Sequence, residues 1–281
     1  MNRCLGVILA VSFLGYAPVD REVAYSGRPG GQAGKDAPAP VPAPVPVTSP
    51  GEFESPWKDE SRALVIDPYW MNSIDWDRMA TDGRVAGVIH KATQGKAVDK
   101  LYESRRNEAK RRGYLWGSYH LATPGDPVGQ ADFYLETVKP GEDEVIALDL
   151  EGLDPCKFMS IGDARRFIER IVERTGRYPL LYANNSVVRE IVRDYGPDSV
   201  FARCPLWFAR PGTVLSGFPK GFWRTYALWQ FSSEQNCKPA GKGDCLYRVA
   251  GTRSDMDVNV FFGTVDELRA RWPFRVEGQR G

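Results

Sequence analysis

Two acidic residues separated by a single leucine, Asp149 and Glu151, end a short apolar segment that begins at Val145. Because side chains alternate along a β-strand, both carboxyls point to the same side, with their Cα atoms roughly 6.6 Å apart. Like charge and burial should raise the pKa of one of them, which places a proton donor beside an ionised partner. Hydrolysis of a glycosidic bond needs such a pair. A strand that runs out into a solvated acidic loop would show the same pattern, so the pattern alone leaves both interpretations open.

Other apolar segments also end on acidic or aromatic residues. Asp67 ends the segment that starts at Ala63. Six aromatic residues occupy comparable positions: Tyr69, Trp70, Tyr119, Tyr182, Trp207 and Trp229. Each of them alone is typical of a core residue, because aromatic side chains bury large areas. Together, at the ends of separate strands, they predict sugar-stacking walls around an acidic centre.

The two histidines of the chain, His90 and His120, lie inside apolar segments. Hydrogen-bonded structural histidines are the favoured interpretation for both. A zinc site is disfavoured, since the chain contains no Cys-x-x-Cys pair and no further histidine.

The elements that must position these residues alternate along the chain. Eight strands are predicted at 63–67, 85–91, 115–120, 145–151, 179–183, 206–210, 227–231 and 256–261. Helices are predicted at 101–112, 130–138, 161–175 and 187–195, and a last one opens at the capping box 264–267. Strand–helix alternation indicates parallel βαβ units, and eight strands fit a small α/β barrel with its chemistry at the carboxyl ends of the strands. The last strands are too closely spaced for full helices, and no Gly-rich phosphate loop supports the alternative of an open doubly wound sheet.

Length and composition divide the chain of 281 residues into unequal parts. Residues 1–24 combine Arg3 with a short apolar run and are predicted to be a signal peptide or an N-terminal anchor. Eight of the 21 prolines lie in the segment 25–60, which is predicted to be a disordered Pro/Gly-rich linker. Residues 61–275 form the globular body and 276–281 a tail.

The formal net charge of +1 argues against a nucleic-acid partner. We expect a secreted or periplasmic monomer, without a stable membrane span unless the signal stays uncleaved.

Cysteine usage agrees with export. Four cysteines follow the signal region, and an even number in an exported body suggests disulfides. Cys237 and Cys245 bracket a Gly/Lys-rich loop and form the favoured local pair. A Cys156–Cys204 bond then follows by elimination.

Eight short motifs in order resemble glycoside hydrolase family 25, the lysozymes of the Chalaropsis type, over residues 62–263. They are Ile66-Asp67-Pro-Tyr-Trp70 with Ile74-Asp75-Trp76, Val88-Ile-His-Lys91-Ala-Thr-Gln-Gly95, Gly117-Ser-Tyr-His120, Ala147-Leu-Asp149-Leu-Glu151, Leu181-Tyr182-Ala-Asn184, Leu206-Trp207-Phe-Ala209, Leu228-Trp229-Gln230-Phe231 and Asp257-Val-Asn259-Val-Phe261. Each motif is weak on its own, but their common order makes chance an unlikely explanation. The chain departs from the family at Gln94, where Glu is frequent, and around Tyr69 and Met71. These changes flank the predicted cleft and bear on substrate preference more than on the chemistry.

The resemblance implies a modified TIM-like (β/α) barrel whose last strands lack regular helices. Glu151 would be the general acid/base, Asp149 would orient the N-acetyl group of N-acetylmuramic acid, and Asp67 would set the electrostatics. The family is thought to retain anomeric configuration through that acetamido group. The predicted substrate-binding residues are Tyr69, Tyr119, Tyr182, Trp207, Gln230 and Asp257. No metal or cofactor is expected.

The function predicted in this way is hydrolysis of the β-1,4 bond between N-acetylmuramic acid and N-acetylglucosamine in peptidoglycan glycan strands. One alternative is a non-catalytic glycan-binding barrel, against which the retention of Asp67, Asp149 and Glu151 argues. Another is a glucosaminidase or a chitin-type hydrolase on the same fold.

Overall fold

A computed structural model describes residues 50–219, 221–236 and 245–276 of the chain. The predicted signal segment, most of the predicted linker, Cys237 and the end of the tail lie outside these ranges. Among the helices in the described part, none has the length and apolarity needed to cross a bilayer.

Eight strands close into a barrel, as predicted. Their order around it is β1 (Leu64–Ile66), β9 (Val258–Val260), β8 (Leu228–Ser232), β7 (Leu206–Ala209), β6 (Leu180–Asn184), β5 (Val145–Leu150), β4 (Leu115–Leu121) and β2 (Val85–Gln94), and a β1–β2 pairing closes the ring. A two-residue strand, β3 (Ala97–Val98), pairs with the end of β2 outside the ring. β9 runs antiparallel to both its neighbours, β1 and β8, whereas every other pairing in the ring is parallel.

Helices cover the first two thirds of the barrel and are lacking near its end. The long ones are α2 (Tyr102–Arg111), α3 (Pro127–Val138), α4 (Ile161–Thr175) and α5 (Asn185–Asp194), whereas α1 (Trp76–Met79) and α6 (Val200–Arg203) have four residues each. In the described residues between β7 and β9, the only helical element is a 3₁₀ turn at Glu234–Asn236. This confirms the predicted modification of the TIM-like barrel.

The core has two layers, which follow from side-chain alternation along the strands. One set of alternating residues fills the barrel interior, with Val65, Ile89, Ala147 and Leu228 among them. Their sequence neighbours point outward under the helices. The last helix, α7 (Val265–Arg271), opens with the predicted capping box at Thr264 and, with the residues that follow it, joins the interior layer.

Residues 50–58, which we call the strap, pack against the outside of β8. The Trp57 ring stacks on Phe231 with 4.0 Å between centroids and meets Trp229 edge-on at 5.2 Å. The backbone N of Ser55 donates to Thr213 O at 2.9 Å. The strap, which belongs to the predicted linker, therefore covers apolar surface where the barrel lacks a helix.

The predicted Cys156–Cys204 bond is wrong. Cys204 is a free thiol, 1% exposed, and its Sγ donates to Val200 O at 3.4 Å. Cys204 lies two residues before β7, whereas Cys156 follows the carboxyl end of β5. Since β5, β6 and β7 are parallel, the two residues lie at opposite ends of the barrel. The Cys237–Cys245 pairing stays a prediction, because Cys237 is not among the described residues.

Candidate active site

Four acids meet at one mouth of the barrel. Asp67 follows β1, Asp149 is the next-to-last residue of β5, and Glu151 follows β5. Asp257 precedes β9, and because β9 is antiparallel its amino end reaches the same mouth as the carboxyl ends of its neighbours. We call the surface formed by these four residues the cleft.

Mutual electrostatic effects show that the four acids are close together. Burial raises the pKa of Asp149 well above its usual value, and the charges of Glu151, Asp67 and Asp257 raise it further. Burial and Asp257 raise the pKa of Asp67 in the same way. The pKa of Asp257 rises to about 7, through burial first and then through Glu234, Glu151 and Asp255. These acids of the cleft therefore keep their protons to higher pH than isolated carboxyls do.

Both carboxylate oxygens of Asp67 accept hydrogen bonds from amides. Gln230 Nε2 donates to Oδ2 at 3.0 Å, and Asn259 Nδ2 donates to Oδ1 at 2.7 Å. Those amides are held in turn, since Tyr182 Oη donates to Gln230 Oε1 at 2.9 Å and Trp207 Nε1 donates to Asn259 Oδ1 at 2.6 Å. Asp67 is thus fixed in place by side chains of β6, β7, β8 and β9.

Asp149 contrasts with Asp67. It is 6% exposed, yet its Oδ1 is buried and has no hydrogen-bond partner within the described parts of the chain. A buried carboxylate oxygen without a donor is costly, so native structures keep one where a ligand supplies the donor. Asp149 is consequently able to accept a hydrogen bond from a substrate N–H or O–H.

Glu151 lies one residue beyond β5, and its side chain is exposed at the mouth. Surrounding protein raises its pKa, and the ammonium of Lys91 partly opposes this effect. The backbone O of Glu151 accepts from Asn184 Nδ2, which ties the residue to the end of β6. Glu151 therefore combines access to substrate with a raised pKa, which suits a general acid.

Lys91 is a cleft residue that sequence reasoning missed. It lies on β2 and lowers the pKa of both Asp149 and Glu151 through its charge. Its Nζ lies 4.7 Å from the centre of the Tyr69 ring. Ile89 belongs to the interior layer, so alternation along β2 also turns Lys91 inward, and this signal was present in the sequence.

The predicted aromatic residues divide into two groups. Tyr69 and Tyr182 are partly exposed, and the charge of Asp257 contributes to the raised pKa of each. Tyr119 is buried, and the charge of Asp149 contributes to the rise in its pKa. Trp207 is 1% exposed and packs edge-on against Tyr182 at 4.9 Å, so it supports the cleft floor and presents no free face to a sugar.

Two further residues predicted for the cleft have contacts within the protein. Gln230 is 3% exposed, and its side-chain amide is engaged with Tyr182 and Asp67. Trp229, predicted as a stacking wall, points outward beneath the strap, and its Nε1 donates to Arg210 O at 2.8 Å. Adjacent residues on a strand face opposite ways, so Gln230 and Trp229 cannot both enter the cleft.

Both histidines are structural, as predicted. His90 is fully buried, and its Nε2 lies 3.0 Å from Arg105 Nη1, which also donates to Tyr69 O at 2.8 Å. His120 lies between Thr93 and Gln130, with ring nitrogens 2.7 Å from Thr93 Oγ1 and 3.0 Å from Gln130 Oε1. Burial lowers the pKa of both to about 4, so they are neutral at physiological pH.

Comparisons with known proteins agree with this geometry. A model of the family described as Glycosyl hydrolases family 25 matches residues 66–239. The N,O-diacetylmuramidase of Arthroderma benhamiae is 27% identical over 210 residues, covering 68% of this chain and 79% of that protein. The uncharacterized protein YegX of Escherichia coli is 26% identical over 208 residues, covering 71% of this chain and 69% of YegX. The solved structure of a bacterial lysozyme from Streptomyces coelicolor superposes with a TM-score of 0.58 at 27% identity, covering 75% of this chain and 97% of that one.

Proposed function

The chain belongs to glycosyl hydrolases family 25, and from this premise we propose that it is a muramidase. Its reaction would be hydrolysis of the β-1,4 bond between N-acetylmuramic acid and N-acetylglucosamine in peptidoglycan. The muramidase named above, from Arthroderma benhamiae, supports this assignment.

In the proposed reaction, the Glu151 carboxyl donates its proton to the glycosidic oxygen as the bond from that oxygen to C1 breaks. The acetamido carbonyl oxygen of the muramic acid attacks C1 from the opposite face and forms a cyclic intermediate. A water molecule then gives a proton to the Glu151 carboxylate and adds to C1, which restores the acetamido group. Two inversions at C1 give overall retention of configuration.

The observation that carries this mechanism is the unpartnered Oδ1 of Asp149. An acetamido group that attacks through its oxygen becomes more positive at its N–H. Asp149 would accept that N–H, orient the group and stabilise the charge that develops on it. Asp67, which amides hold on both oxygens, would act as a fixed charge beneath the sugar.

The experiment is release of reducing ends from purified peptidoglycan. Glu151→Gln should lower kcat by about 10² to 10⁴, since it removes the proton donor. Glu136→Gln, on the exposed side of α3, is the control and should keep full activity. No reducing ends from wild type, or full activity in the Glu151→Gln variant, would refute the proposal.

The same products separate the alternatives. Mass spectrometry identifies the sugar that carries the new reducing end, which would be N-acetylglucosamine for a glucosaminidase. A non-catalytic binder would sediment with insoluble peptidoglycan and release nothing. NMR of the first product formed reports its anomeric configuration, and an inverted product would exclude the acetamido mechanism.

We further propose export of the chain. The apolar run after Arg3 and the spacer-like Pro-rich segment support it. Fractionation of cells that produce the full chain, with detection of the processed protein outside the cytoplasm, tests this part separately from the activity.

A further inference from the structure

A pocket of about 500 Å³ beside the cleft is lined by three arginines, Arg78, Arg248 and Arg253, and by a single acid, Asp75. We propose that this pocket binds the carboxylates of the stem peptide carried by the muramic acid. The inference rests on the proposed function, because it assumes that peptidoglycan occupies the cleft.

Within the described residues, none of the three pocket arginines lies within ion-pair distance of a carboxylate, although most arginines on helix surfaces have such a partner. The one contact of Arg248 in that part of the chain is a weak one, from Nη2 to Cys245 Sγ at 3.9 Å. The Asp75 carboxylate is already used, since it accepts from the backbone N of Arg78 at 3.1 Å. Three exposed guanidinium groups thus line one concave space, where Asp75 is the single carboxylate among the described lining residues.

The walls of the pocket are fixed to each other. The backbone N of Asp75 donates to Gly251 O at 2.9 Å, and Ile74 forms an antiparallel bridge with Thr252. Gly251 has a φ of 77°, and a Cβ there would lie 2.4 Å from Asp75 O, so only glycine allows this approach. The arginines consequently extend from a preorganised frame, which lowers the entropy cost of binding.

The wall that contains Arg253 leads directly to the cleft. Met256 N donates to Arg253 O at 3.2 Å, which closes a four-residue turn. The Cα atoms of Arg253 and Met256 are then less than about 7 Å apart, and Asp257 is one residue further, within about 11 Å of Arg253. On the other wall, Ser73 follows Asn72, whose Nδ2 donates to Asp255 O at 2.8 Å. Three or four residues of an extended peptide span the distance of about 11 Å between Arg253 and Asp257.

The charges of the two sites complement the two parts of the substrate. The cleft is acidic and suits an uncharged sugar backbone, but it repels the carboxylates of a stem peptide attached to that sugar. The arginine pocket attracts those carboxylates, and a guanidinium can bind a carboxylate through two parallel hydrogen bonds. The division would also fix the direction in which a glycan strand enters the cleft.

The test uses the full chain and one batch of glycan strands, freed of phosphate polymers with hydrofluoric acid. Half of the batch keeps its stem peptides, and an N-acetylmuramoyl-L-alanine amidase removes them from the other half. The pocket variant is Arg78→Gln/Arg248→Gln/Arg253→Gln. The control variant, Arg165→Gln/Arg166→Gln/Arg224→Gln, removes the same charge from exposed positions that do not line the pocket.

We expect the pocket variant to lose about tenfold in kcat/KM on peptide-bearing strands and less than twofold on peptide-free strands, since three exposed charge pairs contribute modestly. The control variant should change less than twofold on both. Equal losses on the two substrates, or no loss on either, would overturn the inference while leaving the muramidase assignment intact.

Binding of a soluble muramyl tetrapeptide, followed by NMR of the arginine side chains, gives a readout independent of hydrolysis. If wild type hydrolyses neither substrate, the proposed function fails, and this titration still decides the inference. Shifts of the three pocket arginines in wild type support it, and shifts confined to other residues contradict it.

Discussion

Asp67 and Asp149 are both buried at the mouth of the same barrel, yet their surroundings differ in one respect. Asp67 receives an amide donor on each oxygen. Asp149 has an oxygen that no described donor reaches. The protein's own amides thus offset the cost of burying the Asp67 carboxylate, whereas a ligand would have to offset the cost of burying Asp149. A buried acid that lacks donors marks where substrate belongs more clearly than burial or a raised pKa, since both acids share those properties.

The comparison predicts the largest effect for Asp149→Asn. The amide keeps the shape but presents the wrong charge to an acetamido N–H, so kcat should fall by about 10² to 10³. Stability should stay unchanged or rise by about 1 kcal/mol, because the like-charge repulsion from Glu151 and Asp67 disappears. Activity and thermal unfolding of the same preparation check both parts. A large loss of stability would mean that Asp149 is as firmly held as Asp67.

Asp67→Asn should act in the opposite direction on stability. Its NH₂ group would face an amide donor, so one buried hydrogen bond is lost at a cost of about 1 to 3 kcal/mol. Chemical denaturation of this variant beside Asp149→Asn measures the contrast directly. If both variants are equally stable, the distinction between the two acids is wrong.

Glu52 extends the comparison to a buried acid outside the cleft. Burial raises its pKa to about 7, although Thr225 Oγ1 donates to it. The folded state therefore holds the Glu52 proton more tightly than the unfolded state does. The contribution of this group to the free energy of unfolding is complete below about pH 4.5 and is lost as the pH rises towards 7. Because solvent screens part of this effect, we expect the free energy of unfolding to decline by about 1 to 2 kcal/mol over this pH range. Glu52→Gln should abolish the decline. Unfolding free energies of the two proteins at pH 4.5 and 7.5 provide the measurement, and parallel curves would contradict it.

The smallest effect is expected for Lys91→Gln, and it concerns the pH profile. Lys91 lowers the pKa of Glu151, so its removal should move the alkaline limb of kcat/KM to higher pH, because the acid form persists longer. Lys58→Gln, on the strap, should leave the limb in place. A shift to lower pH would show that Glu151 is not the acid that limits activity.

Much of the fold could be predicted because local signals agreed with the tertiary structure. The bounds of α4 match the prediction, since Ser160 caps its start and Gly176, at a φ of 68°, ends it. α3 begins three residues before its predicted start, although Asp126 followed by Pro127 is a typical start signal. The short elements β3, α1 and α6 contain too few residues to show a period.

The antiparallel direction of β9 limited how much of the site could be predicted from the sequence. The acids could be found because Asp67 and Asp149 each lie two positions beyond an interior apolar residue. The roles of Gln230 and Asn259 in fixing Asp67 depend on β9 running antiparallel beside β8, which no local pattern encodes. Trp229 was misassigned for a different reason, since alternation with Gln230 already excluded it from the cleft.

The strap also determines when during synthesis the outside of β8 can be covered. The hydrogen bond between Glu52 and Thr225 joins residues 173 positions apart. At ribosomal rates of about 5 to 20 residues per second, strap residues wait roughly 10 to 35 seconds before the surface they cover has been synthesised. During that interval Trp57 lacks its native partners Trp229 and Phe231 on β8, and Phe53 lacks Phe218 and Tyr226. The outer face of β8 is therefore covered by residues that leave the ribosome well before it, so the strap docks only after β8 has been synthesised.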